Sequence, residues 1–348
     1  MNVPALRSPN AALVLDLLRT AGEAGISRLE LAERTGLTPQ AVSKITARLR
    51  SEGLATEAGH RASTGGKPRT VLRLVPTAGY AVGVHLDRDE LTTLLTDLAG
   101  TVVARRTRAV DLGEGAGPVL EAVTEEVREL SAGSPELAPA LGVGVAMPGP
   151  LDHRAGVPGR VTGFPEWDGH PVREELAGRL GLPVVLDKDT NAAALGLAVR
   201  PAAPGSFAYV HLGTGLGAGL VLGGAPLRGD RTGAGELGHQ TVQLDGPPCG
   251  CGGRGCLEVL CLAAVARGDD AEAARILGAG AANVVRLLDI DQVLLGGRLV
   301  LAAPEVFAGG VREVLAGLGL TAPVHVAGER DAVAEGAAWL ILAPIFGK

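Results

Sequence analysis

The chain has 348 residues, of which 46% are hydrophobic, 20% are charged and only 2% are aromatic. This length allows two or three domains, whose cores must be filled mainly by Ala, Val and Leu. No uninterrupted apolar segment reaches the roughly 18 residues that a membrane helix needs, and Asp16 interrupts the only early apolar stretch, which is not typical of a signal peptide. The composition therefore predicts a cytoplasmic protein with no membrane partner.

Charges and cysteines are distributed unevenly along the chain. Residues 1–76 hold 11 Lys and Arg against 6 Asp and Glu, whereas the remaining residues hold 21 against 32. A basic N-terminal part on an acidic body predicts that the first part contacts a polyanion. All four cysteines lie between residues 249 and 261, and clustering of this kind favours a metal site over a disulfide framework.

The N-terminal segment, residues 1–77, is predicted to be a winged helix-turn-helix DNA-binding domain. Apolar spacing predicts a first helix over residues 10–21 and a second over 27–35, which a glycine ends. Thr38 then caps a third helix with Pro39 at its first position, where the missing N–H costs nothing. Helix, short turn and helix is the arrangement in which the last helix enters the major groove of DNA.

The third helix is predicted to bury Val42, Ile45 and Leu49 and to present a polar face to double-stranded operator DNA. A basic loop follows it between strand-like segments at 54–56 and 70–74, as in a wing. The candidate DNA contacts on the helix and the wing are Gln40, Ser43, Lys44, Arg48, Lys67 and Arg69. The alternative is a three-helix protein-interaction module with a solvated charged loop.

The body of the chain contains two similar strand–turn–strand segments, at residues 80–99 and 206–224. Such a repeat predicts a duplicated α/β architecture with a ligand cleft between two lobes. The second turn, residues 213–217, alternates glycines, but a strand follows it where a dinucleotide fold requires a helix. Its backbone N–H groups could surround an anion, or it could be a tight hairpin that needs positive φ angles.

The strongest motif combines His239 with Cys249, Cys251 and Cys256. One imidazole and three thiolates are a sufficient tetrahedral set for a structural zinc ion, and no coordination position remains open for catalysis. Intervening glycines let the short loop fold back on the ion. The alternative is a set of buried, unreactive cysteines, which is how we interpret Cys261.

Three carboxylates accompany these glycine and cysteine segments. Glu236 and Glu258 flank the proposed zinc loop, and Asp189 follows the strand-like segment 184–186, where the chain is expected to cross between lobes. Carboxylates held rigidly at a cleft suit the bidentate recognition of vicinal sugar hydroxyls. They favour a small-molecule site over isolated solvated surface groups.

These segments resemble the ROK family of sugar kinases and sugar-dependent repressors over essentially the whole chain. The most specific matches are residues 235–239 and 249–258, and the supporting matches are residues 147–152, 164–167, 189–194, 212–219 and 294–297. The resemblance implies an actin-like ATPase fold over residues 78–348. We expect one lobe at 78–187 with a returning C-terminal helix at 332–348, and a second lobe at 188–331. The resemblance also implies zinc on the four ligands named above, and sugar hydroxyls held by Asp189, Glu236, His239 and Glu258.

The chain departs from the kinases of the family at the turn that receives ATP phosphates. Where those kinases have Asp-x-Gly-x-Thr, this chain has His85, Asp87 and Asp89. Two acids would repel a triphosphate and bulky side chains would block the backbone, so no enzymatic activity is expected. Lys188 replaces a family asparagine next to Asp189, where it would hold a phosphate or an acidic sugar or would point to solvent.

The sequence thus predicts a sugar- or sugar-phosphate-responsive transcriptional regulator, with a repressor as the favoured type, that acts as a homodimer or homotetramer. Two alternatives stay open. The first is a sugar kinase of the same family with an appended DNA-binding domain. The second is a zinc-stabilised interaction module that binds neither DNA nor sugar.

Overall fold

A computed structural model describes residues 8–61, 69–133 and 140–348. The N-terminal domain contains three helices and three strands, which are α1 (Pro9–Ala21), β1 (Ile26–Ser27), α2 (Arg28–Thr35), α3 (Pro39–Ser51), β2 (Ala55–Arg61) and β3 (Arg69–Leu74). The strands form one sheet in the order β1-β3-β2. This is the winged helix-turn-helix fold that the capping residues predicted.

Local hydrogen bonds define the helix-turn-helix segment. The Ser27 hydroxyl accepts from the Glu30 N–H, and the Glu30 carboxylate accepts from the Ser27 N–H, so α2 begins with a capping box. Gly36 ends α2 in the left-handed region, and the Thr38 hydroxyl accepts from the Ala41 N–H at the start of α3. The turn between the two helices is therefore fixed by the sequence itself.

The wing is longer at its base than the sequence predicted. The structure extends the two strands to Ala55–Arg61 and Arg69–Leu74, which pair antiparallel with a register shift between Glu57 and Gly59. The tip of the wing, with Lys67, lies outside the described residues. Arg69 is the first residue of β3.

The first part of the body is a five-stranded sheet with helices around it. Its elements are β4 (Tyr80–Leu86), β5 (Glu90–Asp97), β6 (Val102–Ala109), α4 (Ala116–Ala132), β7 (Ala140–Met147), β8 (Leu151–Asp152), β9 (Val157–Pro158), α5 (Val172–Leu180), β10 (Val184–Lys188) and α6 (Asp189–Ala198). The strand order is β10-β7-β4-β5-β6, while β8 and β9 form a separate pair. Strands β4, β7 and β10 are parallel, and β5 and β6 extend the sheet antiparallel.

The second part repeats this plan. Its elements are β11 (Phe207–Leu212), β12 (Leu216–Leu222), β13 (Ala225–Pro226), α7 (Leu257–Ala266), α8 (Asp270–Leu288), β14 (Gln292–Gly296), α9 (Arg298–Ala302), α10 (Pro304–Gly317), β15 (Val324–Val326) and α11 (Ala332–Leu342). The strand order β13-β12-β11-β14-β15 again joins an antiparallel hairpin to parallel strands. The predicted duplicated α/β architecture is confirmed.

Helix α11 returns to the first sheet and packs against it through glycines. A Cβ atom on Gly83 or Gly144 would overlap the carbonyl oxygen of Ala334 or Ala337, so only glycine allows this approach. On its other side, α11 crosses α6, where Gly336 lies against the Ala192 carbonyl. Because no side chain separates these backbones, α11 and α6 form a dense junction in the middle of the body.

The winged-helix domain is docked on this junction through α1. The Arg19 guanidinium donates to Asp16 at 2.6 Å and to the Val199 carbonyl, just after α6, at 2.9 Å. It also lies over the rings of Trp339 and Phe346, with 4.9 and 5.2 Å to the ring centroids. With only 6% of the Arg19 side chain exposed, the domain shares a continuous core with the body.

Across the described part of the chain, every helix is too short or too polar to cross a membrane.

Candidate ligand cleft, metal site and DNA-binding surface

The candidate ligand cleft lies where the turns and helix ends of the two sheets meet. Its empty volume, which includes space open to solvent, is about 560 Å³, and it is lined by the turn after β4, the turn between β11 and β12, and the N-terminus of α6. The sequence-predicted residues Lys188, Asp189, Glu236, His239 and Glu258 all line it. The fold thus brings together the whole predicted ligand set from three separate segments of the chain.

Asp189 is the first residue of α6, and its environment favours the neutral form. Burial raises the pKa of Asp189 to about 7, although Lys188 and a hydrogen bond from the Thr190 N–H act in the opposite direction. A carboxyl group that titrates near neutral pH can either accept a hydrogen bond from a sugar hydroxyl or donate one. The burial that raises this pKa arises from the packing of α6 between the sheets.

Glu258, at the start of α7, reaches the glycine turn of residues 213–217. Its Oε2 accepts a hydrogen bond from the Leu216 N–H at 2.8 Å. A Cβ atom on Gly215 would lie only 2.9 Å from the same oxygen, so a larger residue at this position would displace the Glu258 carboxylate. The Glu258 carboxylate therefore holds the turn through this hydrogen bond, and the residue also lines the cleft.

The interpretation that Lys188 points to solvent is wrong. Its side chain is only 4% exposed, and Nζ donates to the Ala234 carbonyl at 2.6 Å and to Glu236 Oε1 at 3.0 Å. The reason is that β10 runs into the centre of the body, so its last residue is covered by the 234–236 segment. Lys188 consequently orients Glu236 and neutralises its charge.

A second buried acid, Asp187, was missed by the sequence reasoning. Its two oxygens accept hydrogen bonds from Asn191 at 3.1 Å and from Arg228 at 2.6 Å. This pair joins β10 of the first sheet to the loop after β13 of the second. The spacing of Asp187 four residues before Asn191, on a strand that leads into a helix, was the available signal.

The side chains of the turn after β4 fill the space beside it, between the two lobes. Asp87 Oδ1 accepts from the Thr214 hydroxyl at 2.7 Å, and Asp89 pairs with Arg298 at 2.9 Å, so the turns of the two sheets are tied to each other. Burial tends to raise the pKa of Asp87, but His85 and the hydrogen bonds from Thr214 and the Arg88 N–H outweigh it and lower that pKa. Burial also lowers the pKa of His211 to about 4, so this neighbouring imidazole is neutral.

The four predicted metal ligands converge on one point. The ligand atoms of His239, Cys249, Cys251 and Cys256 all lie within 4.8 Å of one another. The distances from Cys249 Sγ to His239 Nδ1 and from Cys251 Sγ to Cys256 Sγ are both 3.7 Å. A tetrahedron with ligand bonds of about 2.0–2.3 Å has edges of about 3.3–3.8 Å, so the donor set fits a metal ion.

His239 faces the metal cluster and the ligand cleft at the same time. Its Nδ1 points toward Cys249, and the residue also lines the cleft beside Glu236. The second ring nitrogen is therefore the one that remains for a ligand. This arrangement explains how one imidazole can belong to both predicted sets.

The candidate DNA-contacting residues of α3 share one solvent-exposed face. Gln40, Ser43, Lys44 and Arg48 are exposed, whereas Val42, Thr46 and Leu49 are buried and Ile45 is half-buried. Arg48 also pairs with Glu52 at 2.9 Å. The polar face of α3 is thus free of the rest of the chain over the described residues.

The comparison with known proteins decides the family. Residues 81–269, more than half of the chain, match the profile described as "ROK family", and residues 14–56 match a winged helix-turn-helix DNA-binding profile. The chain belongs to the ROK family. This confirms the resemblance that the segments around residues 235–258 predicted.

Individual ROK relatives include both regulators and kinases. The chain is similar to the xylose repressor of Bacillus subtilis, with 31% identity over 239 residues that make up 67% of this chain and 61% of the repressor. It is also similar to a glucokinase of Thermotoga maritima, with 37% identity over 189 residues, 53% of this chain and 58% of the kinase. The chain thus spans about three fifths of the length of the curated relatives it matches.

Among solved structures, the fold of this ROK chain matches that of a ROK family transcriptional regulator described as a homolog of the Escherichia coli MLC protein. The TM-score is 0.75 at 24% identity, and the match covers 97% of this chain and 96% of the other. The winged helix and the actin-like body therefore occur together in a known ROK architecture.

Proposed function

We propose that this ROK protein is a transcriptional regulator that binds operator DNA through its winged helix and releases or rearranges it when a sugar or sugar phosphate enters the cleft. The observation that carries the proposal is the connection along α6. This helix begins with the cleft residue Asp189 and ends beside Val199, whose carbonyl accepts a hydrogen bond from Arg19 of the DNA-binding domain. Ten residues of helix span about 15 Å. The ligand and the DNA-binding domain would therefore contact opposite ends of the same helix.

Ligand binding would act on DNA by favouring one relative position of the two sheets. Asp189 sits on α6, whereas Glu236 and Glu258 belong to the segments around the second sheet, so a sugar that contacts all three holds the cleft closed. The free energy available for the change is the difference in ligand affinity between the two positions. Movement of α6 against α11 would then change the contact between Arg19 and the Val199 carbonyl.

The metal site supports this role without taking part in chemistry. His239, Cys249, Cys251 and Cys256 would hold a structural zinc ion, which supplies only a fixed tetrahedral anchor. Since these ligands lie between Glu236 and Glu258 in the chain, the anchored loop sets the distance between the two sugar-binding carboxylates. The same proposal places domain boundaries at 77/78 and 187/188. It also includes a homodimeric or homotetrameric assembly, which would present two winged helices to two half-sites of an operator.

Fluorescence anisotropy with labelled DNA from upstream of the gene, at near-physiological salt, tests the proposal. We expect specific binding that one compound of a sugar and sugar-phosphate panel weakens or strengthens at least tenfold. Lys44→Ala should abolish specific binding, whereas the control change Arg267→Ala, at an exposed position directly after α7, should leave operator recognition in place. Operator binding that no compound alters would contradict ligand control.

A kinase with an appended DNA-binding domain is the second candidate, because Asp189 and the glycine turn are both present and Asp189 titrates near the pH at which a general base works best. The filled turn at Asp87 and Asp89 opposes it, since a triphosphate would have to displace both interlobe contacts. A coupled ATPase assay with the same panel distinguishes the two functions. Sugar-dependent turnover without operator binding would establish the kinase.

A further inference from the structure

The candidate ligand cleft adjoins a second and larger cavity, which the proposed function does not yet use. The empty volume of this adjoining cavity, which includes space open to solvent, is about 1070 Å³, against about 560 Å³ for the cleft. Thr162, Glu236 and His239 line both spaces. A ligand bound beside Glu236 can therefore continue from the cleft into the adjoining cavity.

One wall of the adjoining cavity is a tight turn in the segment that follows β9. The Phe164 N–H donates to the Val161 carbonyl at 3.0 Å, and Gly163 has a φ of +89°, as the third position of a type II turn requires. The turn carries Thr162 at its tip, where this residue lines the cavity. The local sequence thus fixes this wall.

The opposite wall is the metal loop, residues 249–256, which belongs to the second part of the body. Gly250, Cys251 and Gly252 of this loop line the cavity. A Cβ atom on Gly250 would lie 2.9 Å from the methyl carbon of Thr162, so the loop and the turn are in contact. Because the two walls come from different parts of the body, a ligand in the cavity would bridge them, as a ligand in the cleft would.

Three polar groups that line the adjoining cavity make no hydrogen bond within the described part of the chain. They are the guanidinium of the exposed Arg160, which also makes no ion pair there, the Thr162 hydroxyl and the Gly250 N–H. Pro150 and Pro165 add apolar ring surface beside them. Free donors for hydroxyl oxygens, next to apolar surface for C–H groups, suit a sugar ring.

We infer that the adjoining cavity is a second sugar subsite, and that the effector is a glycoside of two or more sugar units. One unit lies among Asp189, Glu236 and Glu258, and the next lies between Arg160 and the metal loop. A single monosaccharide in the cleft would leave the donors of the adjoining cavity to water. This inference rests on the proposed function of the cleft as an effector site.

Isothermal titration calorimetry with matched sugars of one and two units tests the second subsite. The probes are glucose with maltose and cellobiose, xylose with xylobiose, and N-acetylglucosamine with its β-1,4-linked disaccharide. At least one disaccharide should bind ten or more times tighter than its parent monosaccharide, a difference of about 1.4 kcal/mol. The preferred disaccharide identifies the linkage that the two subsites accept.

Variants assign the effect to the adjoining cavity. Arg160→Ala should weaken binding of the preferred disaccharide at least fivefold and change its monosaccharide less than twofold, because Arg160 lines the adjoining cavity but not the cleft. The matched control is Arg154→Ala, at an exposed arginine that lines neither space, and it should change neither affinity. Thermal unfolding of both variants checks that they are folded.

Two results would overturn the second subsite. One is that no disaccharide binds more tightly than its parent monosaccharide, and the other is that Arg160→Ala weakens both members of a pair equally. Operator binding measured in the same samples separates this inference from the proposed function. A monosaccharide that releases the operator, while its disaccharides bind no more tightly, removes the subsite and leaves the regulator in place. Disaccharides that bind through Arg160 without any effect on the operator leave the subsite and remove the regulator.

Discussion

At one end of the cleft, the carboxyl groups of Asp189, Glu236 and Glu258 line the open space, whereas at the other end the turn after β4 fills the corresponding space with its own side chains. Asp87 and Asp89 bind Thr214 and Arg298 of the opposite lobe. A nucleotide would need the backbone N–H groups of this turn to be accessible to its phosphates. If the proposed function is correct, recognition of a sugar and transfer of a phosphate are separable in this fold. The carboxylate end would then be kept while the turn after β4 connects the two lobes.

The largest effect is expected where the metal loop supports the hydroxyl-binding end. If the proposed zinc ion is present, Cys256→Ser should lower its content per chain and lower the free energy of unfolding by several kcal/mol, because metal binding and folding of the loop are coupled. The matched control is Cys261→Ser, a buried cysteine that donates to the Ala273 carbonyl outside the cluster. Metal content per chain and thermal unfolding with and without a chelator measure both changes. Equal metal content in Cys256→Ser and wild type would contradict the ligand set.

Next in size is the joint between α1 and the body. Arg19→Met removes a buried cation from Asp16, the Val199 carbonyl and two aromatic rings, so we expect a loss of about 3 kcal/mol of stability and a weaker response of operator binding to the effector. Arg34→Met, on the exposed surface of α2, serves as the control. Chemical denaturation and anisotropy report the two effects. A full effector response in Arg19→Met would show that the signal does not pass through this joint.

The two ends of the cleft should respond differently to equivalent acid-to-amide changes. Glu258→Gln should lower effector affinity at least tenfold, about 1.4 kcal/mol, since it replaces the charged acceptor that also holds the Leu216 N–H. Asp87→Asn, at the filled end, should change effector affinity less than threefold. Calorimetry on both variants makes the comparison direct. A larger loss in Asp87→Asn would mean that the effector reaches much further toward the β4 turn.

The smallest effect is a pH dependence from Asp189, whose pKa burial raises to about 7. A sugar hydroxyl that donates to this carboxylate favours the ionised form, so binding should release a proton near neutrality. Affinity should then rise with pH between about 6 and 8, by at most tenfold per pH unit, and level off above the pKa. Asp189→Asn should flatten the profile. An affinity that falls with rising pH would instead show that the protonated carboxyl donates to the ligand.

The sequence by itself determined the local and the repeated features of this protein. The capping residues Ser27, Glu30 and Thr38 specify the helix-turn-helix through hydrogen bonds within three residues, and the short spacing of the Cys-rich loop brings its candidate metal ligands together. The two strand–turn–strand segments likewise predicted the two similar sheets. These features depend on neighbours in the chain, so periodicity and spacing reveal them.

Only the tertiary structure decided how distant segments use their polar groups. Sequence reasoning left open whether Lys188 binds a ligand or points to solvent. Packing of β10 into the centre of the body directs its side chain to Glu236, 48 residues away. The same holds for Arg19 and Val199, which are 180 residues apart, and for Arg88, whose position over the opposite lobe's turn depends on how the two sheets meet. The burial and the partners of a charged side chain depend on elements that are far apart in the sequence and meet only in the folded protein. Residue spacing therefore does not predict them.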